Sequence, residues 1–157
     1  MKTPFDRIDF RILAALQKDG RLSNKEIAAR VGLAQSSSLA RVARLESSGA
    51  LRGFHAEVDP ASLGIELQAL IMVRLQRHSR DLVESFKDHV LALPETVALS
   101  HVSGANDYMV HVAVRDPEHL RNLLLDAFTS RTEVAHLETS LVFEHTRNWV
   151  LPNYLEE

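Results

Sequence analysis

The sequence predicts an α+β chain in two parts, an N-terminal winged helix-turn-helix domain and a C-terminal ferredoxin-like β-α-β-β-α-β sandwich. Three observations carry that expectation. Between Leu22 and Glu46 two short helical patterns meet at Gly32. From Leu67 to Phe143 the apolar pattern runs strand, helix, strand, strand, helix, strand. Charge divides along the chain as well: residues 1–55 hold 10 Lys and Arg against 5 Asp and Glu, and residues 56–157 hold 8 against 16.

Thr3-Pro4 and Asp6 are start signals for a first helix reaching about Lys18, with Ile8, Ile12, Leu13 and Leu16 inward and Asp19-Gly20 as its end. In Ser23-Asn24-Lys25-Glu26 the Ser hydroxyl can accept the N3 amide while Glu26 reaches back to the Ser23 amide, which opens a second helix. Ile27, Ala28 and Val31 form its apolar stripe, and Gly32 supplies the left-handed backbone that ends it. Leu33 anchors the turn. Leu39, Val42 and Leu45 predict the stripe of a third helix, leaving Gln35, Ser36, Ser37, Ala40, Arg41 and Arg44 on opposite or flanking faces, open to solvent or to a groove. The shared core is expected from Ile8, Ile12, Leu16, Leu22, Ile27, Val31, Leu33, Leu39, Val42 and Leu45. A core drawn from about 50 residues is marginal alone, so support from a partner or a second domain is expected.

From Ala50 the period changes. Leu51, Gly53-Phe54, Ala56 and Val58 predict a short extended wing, with Arg52 and His55 placed to touch a phosphate, and Asp59-Pro60 breaks it. The expected boundaries are therefore a helix-turn-helix DNA-binding domain at 1–50, a connecting strand and linker at 51–64, and a ferredoxin-like domain at 65–157.

Leu67 to Leu75 is a nearly continuous apolar run of strand length. Ser79 and Asp81 start a helix with Leu82, Val83, Phe86, Val90 and Leu93 inward, and Pro94 stops it. Thr96 to Val102 and Tyr108 to Val114 read as strands around the loop Ser103-Gly104-Ala105-Asn106-Asp107. Asp116-Pro117-Glu118 caps a helix carrying Leu120, Leu123, Leu124 and Phe128, and Val134 to Phe143 supplies the last strand. With both helices on one face, the other sheet face is expected to be largely apolar, which predicts a homodimer or a larger assembly.

Composition narrows the chemistry. The 157 residues include no cysteine, which excludes disulfides, thiolate catalysis and cysteine-ligated zinc or iron-sulfur sites. No apolar run approaches the roughly 20 residues of a membrane span and no charged-then-apolar leader opens the chain, so a cytoplasmic protein without membrane contact is expected. The basic N-terminal third suits the phosphates of double-stranded DNA, whereas the acidic remainder does not. His101 and His111 face each other across the expected hairpin, but two histidines without a neighbouring carboxylate make a weak metal site, and packing or hydrogen-bonding roles are favoured. No metal and no cofactor are expected. Trp149 is expected to cover an apolar subunit surface.

Taken in order, Asp6-x-x-Asp9-x-x-Ile12-Leu13, Gly20-Arg21, Val31-Gly32-Leu33, Arg41-Val42-x-Arg44-Leu45-Glu46, Gly53-Phe54, Val102-Ser103-Gly104-x-x-Asp107-Tyr108 and Thr139-Ser140-x-Val142 resemble the Lrp/AsnC family of bacterial and archaeal transcription regulators. The resemblance spans about residues 5–150. It implies an effector-responsive, non-enzymatic regulator that binds operator DNA as a dimer, assembles to an octamer, and takes a small effector, commonly an amino acid, in the second domain. Two other functions remain open: a siroheme decarboxylase, an enzyme class that shares the two-domain resemblance, and a DNA-architectural protein needing no effector. A decarboxylase of that kind takes a polyanion, which the acidic second part does not suit.

The resemblance places Gln35, Ser36, Ser37, Arg41 and Arg44 on the recognition helix. Either arginine can read guanine or hold a phosphate, and the alternative is that each pairs with a nearby carboxylate. Many family members have Ser-Pro where this chain has Ala34-Gln35; Ala cannot cap, so the helix is expected to start later, at Ser36. The loop Ser103–Tyr108 resembles the effector site, with backbone amides for an α-carboxylate and Asp107 for an α-ammonium. Val102, Ser103, Gly104, Asp107, Tyr108, Ser140, Leu141 and Val142 would form the pocket, closed by a neighbouring dimer. The alternative is an ordinary turn with Asp107 bonding its own backbone. Thr129 to Glu133 replaces the Leu-Pro-Gly that many members carry before the last strand.

Overall fold

The computed structural model describes residues 5–76 and 80–155. The chain divides into two compact units, Met1–Glu57 with Thr146–Glu157, and Val58–His145. Thr3, Pro4 and Ser79, expected to start helices, lie outside the described residues.

Three helices make the first unit: α1 (Arg7–Lys18), α2 (Asn24–Val31) and α3 (Gln35–Ser47). Asp6 caps α1 in a reciprocal box with Asp9, and Ser23 caps α2 in one with Glu26. Gly32 takes φ 74° at the α2 C-cap, where a β-carbon would strain the backbone. The core is Ile12, Leu16, Ile27, Val31 and Leu45, with Phe5, Ile8, Leu13, Leu22, Leu33, Val42 and Leu51 packed against it.

Leu39 corrects the expected core, since it is 59% exposed while Ser38 is fully buried. At about 100° per residue, Ser38 lies within about 40° of both Val42 and Leu45, whereas Leu39 stands about 120° from Leu45. The three-residue spacing suggested a stripe that the helix does not keep. The start of α3 is a second correction. Ala34 is its N-cap, without a side-chain hydrogen bond, and the helix begins at Gln35 rather than Ser36. A missing cap costs about 1 kcal/mol and packing of Val42 and Leu45 fixes where the helix begins.

The expected wing is an extended stretch, exposed from Arg52 to Asp59, that pairs with no described strand. A lone strand has no ladder partner within its own unit. It is tethered by the Leu51 amide, which donates to the Leu45 carbonyl at 2.9 Å, and by Phe54, whose ring lies 3.1 Å from where a β-carbon on Gly20 would stand.

In the second unit a 3-10 turn (Pro60–Leu63), capped by Asp59, leads into β1 (Leu67–Leu75). Then come α4 (Arg80–Ala92), β2 (Thr96–His101), β3 (Tyr108–Val114), α5 (Pro117–Leu123) and β4 (Val134–Leu141). Asp116 caps α5, which runs on as a π-helical segment (Leu124–Thr129). The sheet order is β2-β3-β1-β4 with every pairing antiparallel, the expected ferredoxin-like arrangement.

One sheet face carries Ala69, Ile71, Val73, Leu75, Tyr108, Val110, Val112 and Val114 under Phe86 and Val90 of α4, Leu120 and Leu123 of α5, and Phe128. The opposite face is mixed: half-buried Leu70, Met72, Met109 and Ala113 sit among Gln68, His111 and Arg74. His101 and His111 do not face each other. His101 is paired with Tyr108 and stacks on its ring at 4.8 Å, while His111 is paired with Ala98, and its ring meets Gln68 Oε1 at 2.8 Å and the His145 ring at 5.3 Å.

Candidate DNA interface and effector site

Asp9 is a fully buried carboxylate, and its position is dictated by α1. It shares the inward face with Ile12 and Leu16, three and seven residues on. A carboxylate there needs a cation, and α3 supplies two. Arg41 Nη1 donates to Asp9 Oδ1 and to Asp6 Oδ2, both at 2.8 Å, and Arg44 Nη2 donates to Asp9 Oδ2. Asp9 Oδ2 also accepts the Asp6 amide at 2.9 Å, and Asp6 Oδ1 accepts the amides of Ile8 and Asp9. Arg44 further lies over the Phe5 ring at 6.0 Å. The guanidinium of Arg41, with the Asp9 amide second, holds the Asp6 carboxyl below its usual value, and the Asp6 and Asp9 carboxylates raise Arg41 in turn.

The cap of α1 is thus wired to the two arginines of α3, and the carboxylate alternative describes both. Asp6 and Asp9 are the residues that sequence reasoning did not assign to this network. The signal was present: an acid at position i with isoleucine at i+3 and leucine at i+7 lies on a buried face, and two arginines three apart on the next packed helix are its counter-ions.

The first turns of α3 leave Gln35, Ser36, Ser37, Leu39 and Ala40 exposed, and Ala43, Arg44, Glu46 and Ser47 are exposed further along it. Asn24 Nδ2 donates to the Gln35 carbonyl at 2.8 Å, tying α2 to that first turn. Arg52 and His55 are exposed on the extended stretch. A separate basic groove, lined by Arg11, Ala14, Ala15, Lys18, Arg30 and Val31, lies on the side of α1 turned away from Asp9.

The residues expected to form an effector pocket fall into two groups. Val102, Ser103, Gly104 and Asp107 lie at the far end of β1: the Val102 amide donates to the Asp107 carbonyl at 2.9 Å, and the Asp107 amide donates to Val73 O at 2.8 Å. Asp107 Oδ2 accepts the Leu75 amide at 2.7 Å. Ser140, Leu141 and Val142 lie at the near end, with Ser140 opposite Leu70, Leu141 opposite Ala69, and the Val142 amide on Gln68 O at 2.9 Å. Four residue steps along β1 separate Val73 from Ala69, about 13 Å at strand rise. Within one chain the two groups do not meet. Tyr108 belongs to the core: it is 1% exposed, its hydroxyl donates to Val83 O at 3.2 Å, and burial raises its phenol. Gly104 takes φ 120° in an exposed turn, a conformation open to glycine. Trp149, placed by the chain division in the first unit, is 46% exposed under the Arg147 guanidinium at 4.1 Å.

Comparison with known proteins follows this division. The family model for the AsnC-type helix-turn-helix domain matches residues 5–46, and that for the Lrp/AsnC ligand binding domain matches residues 68–148. The chain is 42% identical over 142 residues to the HTH-type transcriptional regulator AldR of Mycolicibacterium smegmatis, covering 90% of this chain and 83% of that protein. It is 37% identical to the leucine-responsive regulatory protein of Escherichia coli, covering 90% and 87%. Among solved structures, a transcriptional regulator from Neisseria meningitidis in complex with L-Met superposes with a TM-score of 0.87 at 32% identity, covering 94% of this chain and 96% of that one. A helix-turn-helix domain of three helices followed by an antiparallel sandwich, each matched by its family model and the whole by relatives over nearly its full length, places this chain in the Lrp/AsnC family of transcriptional regulators.

Proposed function

We propose that the chain is a sequence-specific DNA-binding regulator whose response is set by a small effector, an amino acid, held in the second unit, and that it acts on double-stranded DNA in the cytoplasm without catalysing a reaction. The observation that carries the reading is the first turn of α3. Gln35, Ser36 and Ser37 stand exposed on a helix locked from behind by Asp9, a rigid polar edge suited to base edges and phosphates. Arg52 extends the surface along the connecting segment.

The separation of the two effector-loop groups supports assembly. A pocket using both Gly104–Asp107 and Ser140–Val142 needs two copies, one giving its loop and the other its last strand, so effector and oligomer are linked. We infer a homodimer that assembles to an octamer. The N. meningitidis relative, solved with L-Met, supports an amino acid as the ligand class. The decarboxylase alternative lacks support, because a polyanion calls for cations and residues 56–157 hold 8 Lys and Arg against 16 Asp and Glu.

A thermal-shift screen of the twenty amino acids, repeated with gel filtration, tests the effector. One amino acid should raise the midpoint and change the assembly size. A flat response to all twenty removes the amino-acid effector. Selection of bound sequences from random duplexes tests the reader, and an enriched two-fold motif is expected; none at physiological salt favours the architectural alternative.

A further inference from the structure

We propose that Asp6 and Asp9 limit the positive charge that α3 offers to DNA, and that Asp6 is thereby a specificity-determining residue of the interface. The inference rests on the reading of α3 as the DNA-binding helix. Two carboxylates and two guanidiniums form a charge-balanced quartet, with Arg41 shared between Asp6 and Asp9 and Arg44 on Asp9. The side chain of Asp9 is fully buried, while those of Arg41, Arg44 and Asp6 are 27%, 49% and 53% exposed. Both arginines therefore reach the surface of the reader already neutralised.

Fold stability does not require this charge at position 6. Asp6 acts as an N-cap, a task asparagine performs as well, and an ion pair so open to water contributes little. What the Asp6 charge does change is the attraction for phosphate. Each phosphate neutralised by a protein cation adds about 0.9 to the slope of log affinity against log salt, whatever the sequence. A balanced quartet adds none. Binding then leans on Gln35, Ser36 and Ser37, and sequence-independent affinity stays low. For a regulator facing a genome of competing sites, the ratio of specific to random affinity matters more than either alone.

The test uses the full-length chain and a fluorescent random-sequence duplex titrated across a salt series. Asp6→Asn removes the charge and keeps a cap. Asp19→Asn is the control: it changes net charge equally, but its carboxylate caps the Arg21 amide away from the quartet. Asp6→Asn is expected to steepen the slope by about 0.9 per bound protomer, equivalent to roughly eightfold tighter binding at about 0.1 M salt relative to 1 M. Asp19→Asn should give less than half that change. If Asp6→Asn matches wild type, or if Asp19→Asn matches Asp6→Asn, the inference is overturned. Should Asp6→Asn lose its thermal transition, Asp6→Ser, a second neutral cap, is judged by the same criteria. Wild-type protein that binds no duplex at any salt overturns the DNA reading itself, whereas wild-type binding with an unmoved variant overturns the quartet alone.

Discussion

The Asp107 carboxylate accepts the Leu75 amide at 2.7 Å, so the residue that closes the β2–β3 turn also fastens the end of β1. This gives Asp107 a structural duty beside any contact with an effector. Asp107→Ala strands a backbone donor and should destabilise the second unit by roughly 1–3 kcal/mol. Asp107→Asn keeps an acceptor there and should lose less than half as much. If the carboxylate also meets an α-ammonium, Asp107→Asn abolishes the amino-acid shift in melting temperature while the unliganded midpoint stays near wild type. An intact shift in that variant removes Asp107 from the pocket.

Arg41→Ala separates reading from folding. Asp9 keeps Arg44 and the Asp6 amide but loses one of its two guanidiniums, so the first unit should lose roughly 1–3 kcal/mol. Beyond the effect of one positive charge lost from the quartet, the loss of DNA binding should follow the unfolded fraction seen by circular dichroism, with oligomer size unchanged. A larger loss at full stability would instead show Arg41 contacting DNA directly.

Ser38 is buried against the core and its hydroxyl has no hydrogen-bond partner among the described residues. Ser38→Ala removes that desolvated oxygen at nearly constant shape and favours the helix, so the first unit should gain about 1 kcal/mol. Chemical denaturation reads this directly; a lower midpoint would mean that the hydroxyl is satisfied in solution.

Acid should act on the two units at different pH. Burial, with His145 second, holds the His111 imidazole below its usual value. The unfolded chain therefore takes up that proton first, so stability is full above about pH 6.5 and declines as the pH falls through that value toward the folded one. His111→Gln should flatten this part of the profile. In the first unit the Asp6 and Glu26 carboxyls are lowered, mainly by Arg41 and by the Ser23 hydroxyl respectively. Their contribution is present above about pH 4 and disappears as the pH falls through their folded values. Melting curves across the range, with and without His111→Gln, check both; identical slopes in the two proteins refute the histidine assignment.

Where structure is set by neighbours in the chain, the sequence displayed it. The Ser23–Glu26 and Asp116–Pro117 starts, the Gly32 stop and the alternation of Tyr108 to Val114 each depend on residues a few positions apart. What escaped depends on partners far along the chain. Leu39 and Ser38 could be sorted only once Val42 and Leu45 had fixed the phase of α3 against α1 and α2. Arg41 and Arg44 looked free because Asp6 and Asp9 are more than thirty residues away. The sequence points to the loop Ser103–Tyr108 and to the last strand, but their separation along β1 is a property of strand register, and a one-chain pocket cannot be judged before the register is known.

The Leu151 amide donates to Gln17 Oε1 at 2.8 Å, across 134 positions of sequence, and residues from Thr146 onward belong with the N-terminal helices. On the ribosome, α1 emerges early and must wait for this contact while the whole sandwich is synthesised. At about 5–20 residues per second, that delay is roughly 7–27 s. The part of the molecule that would grip DNA is therefore completed after the part that would sense the ligand, although it is translated first.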